Sequence, residues 1–194
     1  MSDSGVSAIV LAGGRSSRFG RDKLAEPIDG KTLLDHAIDG VRRFATDVVV
    51  VLAPDGTPPT RGDVRVVRDT TAFAGPLAGL LAGLRAAKHP SVFVTAGDMP
   101  ELQHAVAEML VAALAATGVD AAALEGDGRP RPLPIAVARD AGSVAAQRLI
   151  DDGERRLRAL VDALTTTVIP ESTWRALDPQ GRSLRDVDVP MDLR

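Results

Sequence analysis

The sequence predicts an α/β protein with three layers, in which a mostly parallel sheet carries helices on both faces. Short apolar runs rich in β-branched residues recur along the chain and have the length of buried strands. They occupy residues 8–12, 48–53, 64–67, 92–96, 119–124, 133–138 and 165–169. Longer segments with helical periodicity lie between these runs. Because strands that alternate with helices favour parallel pairing, we expect a Rossmann-like architecture.

Three segments between the predicted strands have the clearest helical periodicity. Their apolar positions are Leu33, Leu34, Ala37, Ile38 and Val41 in the first, Leu77, Leu80, Leu81 and Leu84 in the second, and Val106, Met109, Leu110 and Ala113 in the third. Each set would form one apolar face that packs against the sheet. Residues 125–134 are instead rich in glycine and proline, and we predict a long turn without regular structure there.

Composition narrows the class of protein. A chain of 194 residues is long enough for one stable domain, and we expect a single domain over residues 1–194. The formal net charge of −3 provides no general attraction for nucleic acid. The sequence has no cysteine and no apolar stretch that approaches the ~20 residues of a membrane span. We therefore expect a cytoplasmic protein without a nucleic-acid or membrane partner.

Positive charge is concentrated directly after the first predicted strand, although the chain as a whole is acidic. Gly13 and Gly14 stand at the carboxyl end of that strand, where open α/β sheets bind their ligands. The cations that follow are Arg15, Arg18, Arg21 and Lys23. Glycine lets backbone N–H groups approach a phosphate closely, and Arg18 and Lys23 would neutralise its oxygens. The glycine pair alone is equally typical of a plain turn, and the segment lacks the Walker and dinucleotide-binding patterns.

Two aspartates follow other predicted strands. Asp98 follows the strand 92–96, and a parallel sheet would bring it to the same edge as Gly13. Because Mg²⁺ prefers one or two carboxylates together with substrate phosphates, Asp98 is a candidate metal ligand, or else a turn former. Asp69 follows the strand 64–67. It either contacts a nucleotide or only precedes a well-capped helix that begins near Pro76.

The segment LAGGRSSRFGRDKL resembles the signature of nucleotidyltransferases that act on sugar phosphates and pterins, and most of all that of the molybdenum cofactor guanylyltransferases. Further similar segments are the Asp-x-Pro at Asp98, GPLAG at 75–79, GRPRPLP at 128–134 and GERR at 153–156. The sequence departs from the family pattern at Phe19, where Met is usual, and at Arg131, where His is frequent. Asp186 and Asp188 likewise replace two Asn residues.

The resemblance implies a fold of the nucleotide-diphospho-sugar transferase type and a set of site residues. The residues implied to bind the nucleotide are Leu11, Ala12, Gly13, Gly14, Lys23, Asp69 and Asp98. The implied catalytic residues are Arg18, Lys23 and Asp98, with Mg²⁺ on Asp98. Asp188 is either a second metal ligand or part of a plain polar loop near the C-terminus. An acceptor phosphate would attack the α-phosphorus of the triphosphate, and positioning and charge neutralisation would supply the catalysis.

Arginines in the C-terminal half are candidates for the second substrate. Arg129 and Arg131 would meet a phosphate or another acidic group of that substrate, or would lie on a solvated loop. Arg155 and Arg156 are weaker candidates for a pterin, since the polar side of a surface helix explains them equally well.

The implied activity is transfer of GMP from GTP to molybdopterin-bound molybdenum cofactor, with release of pyrophosphate and formation of the guanine dinucleotide. The expected partners are GTP, molybdopterin with or without molybdenum, and molybdoenzymes or their chaperones. One alternative is a cytidylyltransferase of the same cofactor, or a transferase for another small phosphate. Another alternative is a non-catalytic carrier or chaperone that binds the nucleotide or the cofactor.

Overall fold

Each predicted apolar run forms a strand of one 7-stranded sheet in the computed structural model. The structure describes residues 5–13, 23–25, 27–28, 30–59, 61–68, 75–116 and 118–187. The strands of the main sheet are β1 (Val6–Ala12), β4 (Asp47–Leu52), β5 (Arg65–Arg68), β6 (Ser91–Ala96), β7 (Ala121–Gly126), β8 (Arg129–Ala138) and β9 (Thr166–Ile169). Two short strands, β2 (Pro27–Ile28) and β3 (Lys31–Thr32), form a separate hairpin.

The main sheet has the order β5-β4-β1-β6-β8-β7-β9 and is mostly parallel, as predicted. β1 pairs in parallel with both β4 and β6, whereas β8 runs antiparallel to β6 and β7. The parallel strands therefore end at one edge of the sheet, and β8 begins there. We call it the carboxyl edge. Ala12, Leu52, Arg68 and Ala96 are the last residues of four strands at this edge.

Helices cover both faces of the sheet, which confirms the three-layer prediction. They are α1 (Leu33–Val41), α2 (Pro76–Ala86), α3 (His104–Leu114), α4 (Arg139–Asp151), α5 (Leu157–Ala163) and α6 (Glu171–Trp174). Residues of α1, α3 and α6 pack in one apolar core and residues of α2, α4 and α5 pack in the other. Within the described ranges, no helix is both long enough and apolar enough to span a bilayer.

The prediction of an irregular turn over residues 125–134 is wrong. β7 extends to Gly126 and β8 begins at Arg129, so the turn itself contains only Asp127 and Gly128. The prolines in this part of β8 occupy alternate positions, and their missing N–H groups therefore fall on one side of the strand. β8 pairs with β6 only from Ile135 onward, so the prolines precede the part of β8 that is paired on both sides.

An ion pair between the buried Asp47 and the partly exposed Arg65 stabilises the opposite edge of the sheet. Ser7 Oγ donates to Asp47 Oδ2 at 2.6 Å, and Arg65 Nη2 donates to Asp47 Oδ1 at 2.6 Å. The backbone N–H of Lys88 also donates to Asp47 Oδ2, at 3.1 Å. Burial alone would raise the pKa of the Asp47 carboxyl, but the hydrogen bonds from Ser7, Arg65 and Lys88 outweigh it and hold the pKa below its usual value of 3.8. The charged form of Asp47 therefore stabilises the fold.

We expect Asp47→Asn to lower the free energy of unfolding by about 2–3 kcal/mol, because the amide keeps only one of the two acceptor oxygens and loses the charge that pairs with Arg65. Since the pKa of Asp47 is lowered in the folded state, its contribution to the free energy of unfolding is fully present above about pH 3.8. That contribution is lost as the pH falls below this value. Urea unfolding at neutral and acidic pH measures both effects. The control is Asp140→Asn, since Asp140 forms an exposed ion pair with Arg139 and should contribute less than about 0.5 kcal/mol. Equal losses in the two variants would contradict this assignment.

Candidate nucleotide site at the carboxyl edge

A close ion pair lies where the carboxyl edge meets the N-terminal part of the chain. Lys23 Nζ donates to Asp98 Oδ2 at 2.9 Å. The Lys23 side chain is 11% exposed and that of Asp98 is 27% exposed, so the pair is shielded but open to a ligand. Asp98 Oδ1 accepts no hydrogen bond from any residue of the described ranges. The arrangement places one ammonium and one available carboxylate oxygen at a strand end, which is suitable for a phosphate together with a hard cation.

Close packing at Gly97 brings Lys23 to Asp98. Lys23 opens the 3-10 helix Lys23–Ala25, and Leu24 of that helix packs over the end of β6. A Cβ on Gly97 would lie 3.3 Å from a methyl carbon of Leu24 and 3.3 Å from one of Leu34. Because glycine leaves this space free, the short helix can lie directly on the strand end.

We expect Gly97→Val to lower the rate of nucleotidyl transfer about tenfold and the free energy of unfolding by about 1–3 kcal/mol. The added methyl groups would push Leu24 away and would move Lys23 from Asp98. Steady-state kinetics and urea unfolding measure the two effects. Gly62→Val is the matched control, because no atom lies within 4 Å of the position of its Cβ. A Gly97→Val variant as active as the Gly62→Val variant would contradict this role.

The end of β1 lies close to the loop that follows β4. A Cβ on Gly13 would lie 3.3 Å from the backbone nitrogen of Ala53. The guanidinium of Arg68 holds the same loop, since its Nη1 donates to the carbonyl oxygens of Pro54 at 3.0 Å and Gly56 at 2.9 Å. Arg68 therefore fixes the segment against which Gly13 packs.

The C-terminal segment also contacts Asp98. The backbone N–H of Val187 donates to the Asp98 carbonyl oxygen at 2.9 Å, and Val187 is buried. Ser183, four residues earlier, accepts a hydrogen bond from the backbone N–H of Gln103 at 3.1 Å. The segment that carries Asp186 is thereby hydrogen-bonded to both ends of the connection between β6 and α3.

The GERR segment supports the beginning of α2. The backbone N–H of Leu77 donates to the Arg155 carbonyl oxygen at 3.2 Å, and Gly75 has a positive φ of 86° where it packs on Arg155. Arg156 pairs instead with Glu154 at 2.7 Å. Hydrogen bonds from the Arg156 side chain and from the backbone N–H groups of Arg156 and Arg155 lower the pKa of Glu154 to about 2. The segment thus has a structural explanation, and its role toward a pterin stays a prediction.

The structure brings together part of the predicted site. Ala96 of β6 pairs with Leu11, whose carbonyl oxygen accepts from Gly97 N–H at 2.9 Å, so Gly13 and Asp98 extend from adjacent strands. Ala12 ends β1 beside them. Four predicted site residues lie outside the described residues: Gly14, Arg18, Asp69 and Asp188. Phe19 lies outside them as well. Among the described side chains, no group of three or more His, Asp or Glu residues could hold a metal by itself.

Three features of this edge were not predicted from the sequence. They are the hydrogen bonds from Arg68 to the loop after β4, the hydrogen bond from Val187 to Asp98 and the packing at Gly97. Each joins residues far apart in the chain, so no local pattern identifies it. The only available signal was the position of Arg68 and Gly97 at the ends of predicted strands.

Comparison with known proteins identifies the family. Residues 8–168 match the model of the MobA-like NTP transferase domain. A probable molybdenum cofactor guanylyltransferase of Chloroflexus aggregans is 34% identical, with 97% of this chain and 92% of the relative covered. A protein of the same description from Mycobacterium avium is 36% identical, with 97% and 93% covered.

Solved structures agree with the sequence relatives. The crystal structure of molybdopterin-guanine dinucleotide biosynthesis protein A from Archaeoglobus fulgidus superimposes with a TM-score of 0.80 at 26% identity, over 96% of this chain and 94% of that one. The fold and the sequence relatives agree with the family predicted from the glycine and cation segment. The chain belongs to the MobA-like NTP transferase family, and it is a nucleotidyltransferase.

Proposed function

We propose that the protein transfers GMP from GTP to a molybdopterin-bound molybdenum cofactor and releases pyrophosphate. The observation that carries the proposal is the Lys23–Asp98 pair at the carboxyl edge, beside the glycine at the end of β1. The relatives described as molybdenum cofactor guanylyltransferases support the choice of GTP and of the acceptor. The partners follow from this activity: GTP, molybdopterin with or without its metal, and the molybdoenzymes or chaperones that receive the product.

The chain's own residues would perform two tasks in this reaction. The backbone at Leu11, Ala12 and Gly13 would hold the nucleotide against the end of β1, because glycine permits close approach to phosphate. Lys23 would neutralise the triphosphate, whose charge grows on the leaving pyrophosphate during transfer. The acceptor phosphate is already ionised at neutral pH, so its oxygen can attack the α-phosphorus without a general base on the protein.

Mg²⁺ fits the donor atoms at Asp98. One carboxylate oxygen without a hydrogen-bond partner in the described ranges, together with substrate phosphates, is the type of ligand set that Mg²⁺ takes. When bound, Mg²⁺ would supply charge neutralisation at the transferred phosphoryl group. Gly14, Arg18, Asp69 and Asp188 remain proposed members of the same site from the sequence resemblance.

The experiment that tests the proposal compares triphosphates. The protein is incubated with Mg²⁺, molybdenum-loaded molybdopterin and either GTP or CTP, and pyrophosphate release is followed. We expect acceptor-dependent release with GTP at a rate at least about tenfold that with CTP. A preference for CTP would identify the cytidylyltransferase alternative. Absence of release with every triphosphate would favour a non-catalytic carrier, and a parallel reaction without Mg²⁺ tests the metal.

A further inference from the structure

An arginine-lined cavity lies at the β7–β8 turn, apart from the Lys23–Asp98 pair. Its volume is about 210 Å³, and among the described residues its wall includes Arg129, Arg131 and Arg158 together with one acidic residue, Asp127. This volume is below the ~300–1,000 Å³ of typical pockets for small molecules, so the cavity suits a compact group. We call it the arginine cavity.

The positive charges of the arginine cavity are poorly compensated. Arg131 Nη1 lies 3.4 Å from Asp127 Oδ2, and Arg158 Nε lies 4.0 Å from Asp162 Oδ2, both long for charged hydrogen bonds. Arg129 forms no ion pair within the described part of the chain. Three guanidinium groups around one small space therefore face a single carboxylate in the wall. Arg131 is 41% exposed and Arg158 is 50% exposed, so both side chains can reach an anion that enters from solvent.

One hydrogen-bond donor of Arg131, in the cavity wall, has no partner among the described residues. This donor is Nε, which is buried. The stem of Arg131 lies across Gly126, where a Cβ would come within 3.0 Å of its Cγ and Cδ. Glycine at this position thus gives the arginine the space it occupies. An unpaired buried N–H costs free energy, which an acceptor bound by the same guanidinium could offset after a small side-chain shift.

The arginine cavity lies at the carboxyl edge, where β7 ends, β8 begins and Asp98 follows β6. Gly126, in its wall, packs against Leu184, whose Cδ1 would be 3.1 Å from a Cβ on Gly126. Leu184 is three residues before Val187, which donates to the Asp98 carbonyl. The Cα atoms of Leu184 and Val187 can be at most about 11 Å apart, since an extended chain rises ~3.6 Å per residue. A substrate of moderate length could therefore reach from Asp98 to the cavity.

We propose that the arginine cavity binds an oxyanion of the phosphate or molybdate type. In the transfer reaction this oxyanion would be the metal-oxo group of the acceptor, at the end remote from the attacking phosphate. That second assignment rests on the proposed function. The same chemistry could come from free phosphate, and the two sources are separable by experiment.

The first measurement is calorimetric titration of the protein with sodium molybdate and, separately, sodium phosphate at low ionic strength. We expect anion binding that persists when the nucleotide site is filled with GTP, with affinity weakened about tenfold by Arg131→Gln and by Arg158→Gln, because each removes a charged donor. Arg131→Lys should be intermediate, since lysine retains the charge without the planar fork. Arg42→Gln is the control, because Arg42 donates to the Asp63 carbonyl far from the cavity. Thermal unfolding of each variant verifies that it is folded.

The second measurement identifies the source of the oxyanion. If the acceptor supplies it, Arg131→Gln and Arg158→Gln should raise KM for the loaded acceptor about tenfold and leave kcat within about twofold of the wild type. An unchanged KM with weakened binding of free phosphate would contradict the acceptor assignment and support a free anion. Binding of neither anion, or equal binding by the wild type and both variants, would overturn the site. Loss of GMP transfer with arginine-dependent anion binding intact would refute the proposed function alone.

Discussion

Asp98→Asn is expected to lower kcat/KM for GMP transfer by roughly 10²- to 10³-fold. The amide keeps the shape of the side chain but removes the charge that pairs with Lys23 at 2.9 Å and that would hold Mg²⁺. Pyrophosphate release under steady-state conditions measures the loss. If Mg²⁺ binds at this carboxylate, the variant should also require a higher Mg²⁺ concentration for half-maximal rate.

Glu101→Gln is the matched control for Asp98→Asn. Glu101 lies on the same connection, and its carboxylate contacts Arg182 at 3.9 Å and Arg185 at 3.6 Å. Because these ion pairs are exposed and long, we expect the control to retain activity within about twofold. An Asp98→Asn variant as active as the Glu101→Gln variant would remove Asp98 from the mechanism.

Lys23→Met is expected to lower kcat/KM by about 10²-fold, mainly through loss of charge neutralisation on the triphosphate. Methionine fills much of the volume of the lysine stem, so the shielded position should tolerate it. Nucleotide titration in the absence of acceptor should show weaker binding, which separates a binding role from a purely structural one. Lys31→Met is the control, because Lys31 is 58% exposed and pairs with Asp39 at the surface.

A double variant tests whether Lys23 and Asp98 act together. If they form one unit, the loss in the Lys23→Met, Asp98→Asn variant should be smaller than the product of the two single losses. Independent, multiplicative losses would contradict a shared role at one phosphate.

The strands and the main helices could be predicted because each is specified by nearby residues. Leu77, Leu80 and Leu84 are buried in α2 as their spacing indicated. The failure over residues 125–134 has a physical reason: proline and glycine are common in turns, but alternate prolines are compatible with a strand that is paired on one side. Composition alone does not reveal the pairing of the strand.

The candidate site was predictable to the extent that it lies at strand ends. Gly13 and Asp98 follow β1 and β6, and the parallel pairing of these strands brings them to the carboxyl edge. The hydrogen bonds from Arg68 to the loop after β4 and the arginine cavity could not be predicted, because both depend on contacts between segments that are distant in the sequence. Arg129 and Arg131 were recognised as candidates for an anion, whereas no local pattern marked Arg158 for the same role. The single domain, the Mg²⁺ ion and the role of each site residue stay predictions.

The most direct test of nucleotidyl transfer at this edge follows the fate of the phosphates. GTP labelled at the α-phosphorus or at the γ-phosphorus is incubated with the protein, Mg²⁺ and molybdenum-loaded molybdopterin. Transfer of GMP predicts that the α-label enters the acceptor and that the γ-label appears in pyrophosphate, in equal amounts. Release of the γ-label as orthophosphate, with the α-label remaining in GDP, would contradict the account.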